Sequence, residues 1–317
     1  MRIDVIIPSW NGRHLLGSCL DALAAQTRVA DGIVVVDNGS TDETDAWLGS
    51  EYPRIRVVRL STNAGFAGGA QAGAEASCAD LIAFLNNDAR PHQAWLATAE
   101  SVFGWDAVGS CASVILSPEG VVESAGLRWT IWGVGRRCME GRLTCQLPPH
   151  AVEVFGASGG AAIYRRDAFM EVGGFDRAYF AQDEDIDLAL RLRYAGYSCL
   201  LHPGAVVEHL GGQTLRRTPG LLLSLAQRNL EWAFWHNTPW VLWPALGPLH
   251  GCYQIASLLR HIAAGRGRAV SRAKCAAVRV RPSLHRRTPR LGLFARRIAP
   301  WMVIGFMPWP VTVGKLG

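Results

Sequence analysis

The chain has 317 residues, 49% hydrophobic and 18% charged; this excludes a disordered protein and suffices for one or two domains with a buried core. Its net charge of +6 is unevenly placed: 13 of the 32 basic residues lie in 232–317, which holds no acid, so residues 1–231 carry −7. The eight cysteines form no CxxC pair and no close cluster, which excludes a zinc ribbon and a disulfide framework and predicts buried free thiols in a reducing compartment.

In chain order, IDVIIPSW (3–10) opens on an apolar run that reads as a buried strand, too short for the apolar core of a signal peptide. The expected location of the body is therefore the cytoplasm. A helical stretch runs from about His14 to Gln26, and GIVVVDNGS (32–40) is a second strand ending at Asp37. Thr41 begins a further helical stretch, with Asp42 and Glu43 in a first turn where the helix dipole favours carboxylates. RIRVVRL (54–60) is a third strand, 63–77 a Gly-rich turn into a small-residue helix, and LIAFLNND (81–88) a fourth strand. Strands alternating with helices at this spacing predict βα units around a mostly parallel sheet. Ligands of such sheets sit beyond the carboxyl ends of the strands, where Asn11, Asp37, Asn63, Asn87 and Asp88 gather.

From about 106 to 160 the pattern turns irregular and strand-rich, with VGSCASVIL (108–116) and VEVFGASGGAAIYRR (152–166). Gly159-Gly160 permits close approach of backbone to backbone or ligand. Residues 171–212 read as a loop, an acidic helix start, a helix and a strand leading to His209. Composition changes after Thr218-Pro219-Gly220, which places a domain boundary there.

Each polar group admits two readings. Asp37, followed by Asn-Gly-Ser-Thr-Asp, is either a turn and cap or a carboxylate that accepts from a nucleotide base or ribose. Asp88 is either a turn former or a hard oxygen ligand for Mg²⁺ or Mn²⁺ shared with a diphosphate. Asp183, Glu184, Asp185 and Asp187 could complement the helix dipole, and Asp187 with Arg191 is a stabilising i, i+4 pair. Four acids in five positions exceed what capping needs, and their crowding raises at least one pKa, which suits a general base or a cation site. His209 is either structural or a nitrogen ligand to a metal or donor to phosphate.

As an ordered set, IIPSWNG (6–12), VVVDNGSTDET (34–44), NAGFAGGAQAG (63–73), FLNNDA (84–89), GASGGAAIYRRDAFMEVGGFD (156–176), EDIDLALRLRYAGY (184–197) and the strand to His209 resemble family 2 glycosyltransferases, closest to the rhamnosyltransferase-like branch. The resemblance covers about residues 3–215 and implies a GT-A fold, α/β with a Rossmann-like sheet flanked by helices. It implies that Pro8, Trp10, Asn11 and Asp37 line the nucleotide pocket, and that Asn63, Gly65, Phe66, Asn87, Gly159 and Gly160 shape the nucleotide-sugar site. The DxD position falls on Asn86-x-Asp88, so Asn replaces the first acid and Asp88 is the implied metal ligand, with His209 touching the metal or the diphosphate. The general base is implied at Asp185, with Glu184 the lesser alternative.

Residues 221–237 form a largely apolar helix candidate, and Trp240–Leu259 is an uncharged run of 20 residues, the minimum length of a span. Pro244, Pro248, Gly247, Gly251, His250 and Gln254 argue against a clean transmembrane helix there. Trp232, Trp235, Trp240 and Trp243 suit a headgroup zone, Arg-rich sequence follows from Arg260 to Arg297, and 298–313 is a second apolar stretch. The expectation is an interfacial helical extension at an anionic membrane, set against a helical domain packed on the body with a solvated basic face.

The implied activity is inverting transfer of a sugar, best matched by rhamnose, from a dTDP-, UDP- or GDP-sugar to a hydroxyl of a lipid-linked or cell-surface glycan. The expected division is a catalytic domain over 1–218, its nucleotide-sugar half about 1–105 and its acceptor half about 106–218, then an extension over 219–317. A nucleotidyltransferase is the enzymatic alternative, but 3–12 lacks a Gly-rich, basic triphosphate signature. An anionic-polymer-binding protein is the non-enzymatic alternative; it leaves the strand-end carboxylates unexplained, and no nucleic acid partner is expected.

Overall fold

The computed structural model describes residues 1–211, 219–279 and 290–302. Its first half alternates β1 (Ile3–Ser9), α1 (Arg13–Ala24), β2 (Gly32–Asn38), α2 (Thr44–Glu51), β3 (Arg56–Leu60), α3 (Gly65–Ala76) and β4 (Leu81–Leu85). β1 pairs in parallel with both β2 and β4, and β2 with β3, as the βα spacing requires. Side chains alternate across this sheet: Ile3, Val5 and Ile7 enter one core cluster and Ile6 the other, with Val35 and Val34/Val36 divided likewise. Helix α2 begins at Thr44, three residues later than expected, because Glu43 adopts a left-handed conformation (φ 61°) and Asp42 accepts from the Thr44 N–H at 3.3 Å. Helix α3 is rich in Gly and Ala because it lies against β1: a Cβ on Gly73 would sit 2.3 Å from Ile6 Cγ2.

The second half is of mixed direction. It adds β5 (Ala89–Pro91), α4 (Trp95–Glu100), β6 (Val108–Leu116), β7 (Val122–Ala125), β8 (Leu127–Trp129), β9 (Gly135–Arg137), β10 (Val152–Val154), β11 (Ala161–Arg165), α5 (Arg166–Glu171), α6 (Glu184–Ala195) and β12 (Ser198–His209). Among the described residues the main sheet runs β10-β12-β6-β11-β4-β1-β2-β3, with β5 beside β12 and β7 beside β6. Strand β11 is antiparallel to both β4 and β6, whereas β12 is parallel to β6. β8 and β9 form a separate hairpin. The result is an α/β fold whose parallel half ends at one edge in Asp37, Asn87 and Asp88, while β12 carries His209 to the same edge.

After 219 the chain is helical: α7 (Pro219–Asn237), α8 (Trp243–Ala263), α9 (Gly267–Arg279) and α10 (Leu291–Arg297). Ala233 and Phe234 of α7, with Phe294, Ile298 and Trp301, share a core cluster with Leu127, Trp129, Phe155, Ile186 and Leu190 of the body. Among the described residues no helix is long and apolar enough to cross a membrane. The four tryptophans assigned to a headgroup zone divide: Trp240 and Trp243 are 64% and 42% exposed, and Trp235 36%, but Trp232 is 1% exposed. Trp232 faces the body because its ring meets Tyr179 edge-on at 5.4 Å and its Nε1–H donates to the Ala277 carbonyl. The thiols correct the expectation in part: all eight cysteines are free, yet Cys78, Cys145, Cys252 and Cys275 are exposed. The basic stretch at 280–289, most of the apolar stretch at 298–313 and the expected boundary at 218 lie outside the described residues.

Candidate active site

At the carboxyl edge of the parallel strands, Asp37 is buried and accepts from the Ser40 N–H at 2.9 Å, with Arg59 Nε 3.8 Å from its other oxygen. Asn11, held at φ 49°, donates its own N–H to Ser40 Oγ and accepts from the Thr41 N–H at 2.8 Å, so it ties the end of β1 to the β2–α2 loop. Asn38 pins the next loop, donating to the Gly65 carbonyl and accepting from the Ala64 N–H. Asn63 accepts from the Gly65 N–H at 2.9 Å. Gly65 must be glycine: its φ is +72°, and a Cβ would lie 2.2 Å from the Phe180 carbonyl oxygen. Asn87 is buried and donates to Ser9 Oγ at 3.0 Å. Pro8 and Trp10 are half-buried at the same edge.

A cavity of about 630 Å³ opens beside this edge, lined by Phe66, Asn86, Gly159, Gly160, Glu184, Asp185 and His209 among others. Sequence reasoning placed all of these near one another. Pro8, Trp10, Asn11, Asp37, Asn63, Gly65, Asn87 and Asp88 are not on its wall; the two groups meet through Phe66 and through His209, whose Nε2 lies 3.2 Å from Asp88 Oδ1. Asp88 is itself 3% exposed.

The start of α6 supplies the acids. Asp185 accepts from two backbone donors, the Gly159 N–H at 3.0 Å and the Ile186 N–H at 2.8 Å, so its carboxylate is fixed to the Gly-Gly turn. Burial nevertheless raises its pKa, outweighing those bonds and the charge of Arg137. Glu184 is 7% exposed, and its Oε2 is buried with no hydrogen-bond partner among the described residues. Burial, then the charge of Asp185, pushes Glu184 well above the usual carboxylate range. Asp183 occupies the N-cap position at φ 61°, and burial with the neighbouring Asp185 pushes it up to about 7, against the pull of Arg136 and Lys274. Asp187 plays a different part: wholly buried, it pairs with Arg191 at 2.8 Å and accepts from the Tyr179 hydroxyl. It is the structural member of the acidic run.

Glu123, Arg136 and Arg137 also line the cavity and were not singled out from sequence. They arrive on β7 and β9, short strands in the stretch whose pattern is irregular, and a lone Glu or an Arg pair there carries no local signal. Glu123 Oε2 lies 2.9 Å from His209 Nδ1. Burial alone would lower the His209 pKa, but the hydrogen bonds and charges of Asp88 and Glu123 outweigh it and the net shift is upward.

Among the described residues no group of three or more His, Cys, Asp and Glu side chains is arranged to hold a metal by itself. Asp88 and His209 fit a shared cation, because the proton between Oδ1 and Nε2 is what such an ion would displace. The remaining ligands would come from diphosphate and water, which suits Mg²⁺ or Mn²⁺. The Asn86 amide, 3.4 Å from His209 Nε2, adds no charge there.

Residues 4–173 match the model of glycosyl transferase family 2. The chain is 28% identical over 263 residues to the N-acetylglucosaminyl-diphospho-decaprenol L-rhamnosyltransferase of Mycobacterium tuberculosis, covering 73% of this chain and 86% of that one. It is 26% identical over 249 residues to the O-antigen chain rhamnosyltransferase RfbN of Salmonella typhimurium, covering 76% and 74%. Among solved structures, the mannosyltransferase PcManGT of Pyrobaculum calidifontis in complex with GDP-Man and Mn²⁺ superposes with a TM-score of 0.56 at 19% identity, over 88% of this chain and 75% of that one. GalNAc-T7 with UDP, GalNAc and Mn²⁺ gives 0.57 at 17% identity over 73% of this chain, which spans 48% of that longer one. These two likenesses speak to the fold. The family match spans more than half of the chain and shows that it belongs to glycosyl transferase family 2 and is a glycosyltransferase, and the two likenesses give it the GT-A fold.

Proposed function

We propose that this glycosyltransferase works by inversion, moving rhamnose from a nucleoside-diphosphate sugar to a hydroxyl of a lipid-linked or cell-surface glycan. The observation that carries the reading is that one cavity has His209, backed by Asp88, and the Glu184–Asp185 acids on its walls. One carboxylate and one diphosphate-directed pair are what a single displacement at an anomeric carbon needs. Asp185 takes the proton of the attacking acceptor hydroxyl; its raised pKa moves it toward the range in which a carboxylate is an effective base. Its two backbone donors keep it aimed while the proton moves. Asp37, Asn11 and the Asn63–Phe66 loop bind the nucleoside and orient the donor sugar. Asp88 and His209 would hold the divalent cation, which would offset the charge developing on the departing diphosphate.

The names of the two relatives support rhamnose as the donor sugar, and one of them supports a diphosphate-linked lipid acceptor. Residues 1–218 form the catalytic domain and 219–317 the extension. Exposed Trp240, Trp243, Ile255, Leu259 and Ile262, next to Arg260 and Arg266, support docking of the extension on an anionic membrane from the cytoplasmic side.

The test is a panel of dTDP-, UDP- and GDP-sugars, scored by thermal shift with Mg²⁺, Mn²⁺ or EDTA. Stabilisation by one nucleotide class, lost in EDTA, is the expected result, since a ligand of the native state raises its stability by mass action. No shift with any nucleotide in a folded sample would overturn the reading.

A further inference from the structure

Between the last core turn and α6, the loop 178–183 carries three residues in left-handed backbone: Phe180 at φ 65°, Gln182 at 73° and Asp183 at 61°. None is glycine, so the loop is strained and must be held from outside. Among the described residues only one of its carbonyls, that of Tyr179, accepts from a loop N–H, that of Ala181 at 2.8 Å, and every carbonyl of the loop has a partner outside it or in α6. Phe180 accepts from the Ala67 N–H at 3.0 Å, across the Gly65 loop, and Asp183 accepts from Asp187 within α6. The other four go to two neighbouring residues of α7. The Asn229 carboxamide donates to the carbonyls of Tyr179, Ala181 and Gln182 at 3.0, 2.9 and 2.6 Å. Arg228 Nη2 donates to those of Ala178 and Tyr179 at 2.9 and 3.1 Å. A carboxamide has two N–H bonds, so one is shared among the three acceptors.

Asn229 is wholly buried, and Arg228 is fixed by stacking 4.2 Å over the Trp232 ring, itself packed edge-on against Tyr179. The loop is thus wedged between the Gly65 turn on one side and α7 on the other. It ends at Glu184 and Asp185. We propose that Asn229, assisted by Arg228, is a positioning residue that holds the strained 178–183 loop so that the acids at the start of α6 face the cavity. This inference rests on the assignment of those acids to the transfer reaction, and it makes the helical extension part of the active site.

The experiment uses the full chain and two substitutions at Asn229. Asn229→Asp keeps the shape and removes both donors; Asn229→Gln keeps the carboxamide. Hydrogen–deuterium exchange is measured on each, together with steady-state transfer from the sugar nucleotide that the wild type uses. A displacement of about 1 Å at a reacting group costs on the order of 100-fold in rate. The expected result for Asn229→Asp is faster exchange confined to 178–187, a fall in kcat of about that size, and a donor KM within about twofold of wild type. Asn229→Gln is expected to recover most of the rate. The proposal is overturned by a wild-type kcat, by exchange that rises across the whole body, or by kcat and donor affinity falling together. If Asn229→Asp does not fold, Arg228→Ala decides by the same two readings, with a smaller loss because it frees one carbonyl, that of Ala178, where Asn229→Asp frees two, those of Ala181 and Gln182; Tyr179 is held by both residues. If the wild type transfers no sugar at all, the functional reading falls, and exchange in 178–187 alone then decides whether the clamp exists.

Discussion

Replacing Asp185 by Asn separates chemistry from architecture, because the two opposing structural effects are of similar size. The carboxylate accepts from the N–H groups of Gly159 and Ile186, at 3.0 and 2.8 Å. A carboxamide retains one acceptor and turns its NH₂ toward the second donor, so one buried N–H loses its partner at a cost of about 1–3 kcal/mol. Against this, the substitution removes a charge that, after burial, raises the pKa of both Asp183 and Glu184. The net change in stability is expected within about 1.5 kcal/mol of zero. Loss of a general base lowers kcat by roughly 10²–10⁴, equivalent to about 3–5 kcal/mol of barrier. Nucleotide affinity, which the proposed function assigns to Asp37, Asn11 and the loop after β3, is expected to be unchanged. Transfer is followed with the active sugar nucleotide, binding by calorimetry and stability by urea denaturation. A variant that still turns over but no longer binds nucleotide would refute the assignment of Asp185 as base.

Asp187→Asn leaves the Arg191 guanidinium, 10% exposed, without its charge partner. Because Arg191 keeps the Val172 and Gly174 carbonyls, the expected loss is about 3 kcal/mol, at the low end for a broken buried pair, read as a lowered urea midpoint with an unchanged slope. Asp88→Asn is expected to abolish the difference between Mg²⁺ and EDTA in nucleotide thermal shift while a weaker, metal-independent shift remains; an intact metal response would exclude Asp88 as a ligand. For pH, the folded pKa of Asp183, about 7, lies above its unfolded value near 3.8. Its stabilising contribution is therefore present at low pH and lost as pH rises through about 7. Asp183→Asn, which tolerates the left-handed conformation, is expected to flatten the decline in Tm between pH 5 and 8; parallel curves for variant and wild type would contradict this.

Strand β1 shows what local pattern can carry. Ile3, Val5 and Ile7 against Ile6 is a period of two that any buried strand must satisfy, and a polar residue directly after such a run marks a sheet edge wherever the chain goes next. That is why Asp37, Asn87 and Asp88 were legible, and why the alternation of strands and helices foretold the parallel half of the sheet. The late start of α2 and the mixed direction of β11 and β12 were not, because a left-handed Glu43 and the pairing partners of a strand depend on contacts outside the local window.

The site divides along the same line. Residue types and spacing marked the acids at 183–187 and His209 as candidates with a structural alternative for each, and the resemblance to family 2 glycosyltransferases then singled out Asp185, Glu184 and His209. Packing alone brought Glu123 to His209, Arg136 and Arg137 to the acids, and Asn229 to the loop before them. Trp232 and Trp240 occupy similarly Trp-rich, apolar surroundings in sequence, yet one is buried against Tyr179 and the other exposed. Hydrophobic periodicity reports which residues avoid water; it carries no information about which distant surface they meet, because that is set by the joint closure of the sheet, the α6 loop and the helices after 219.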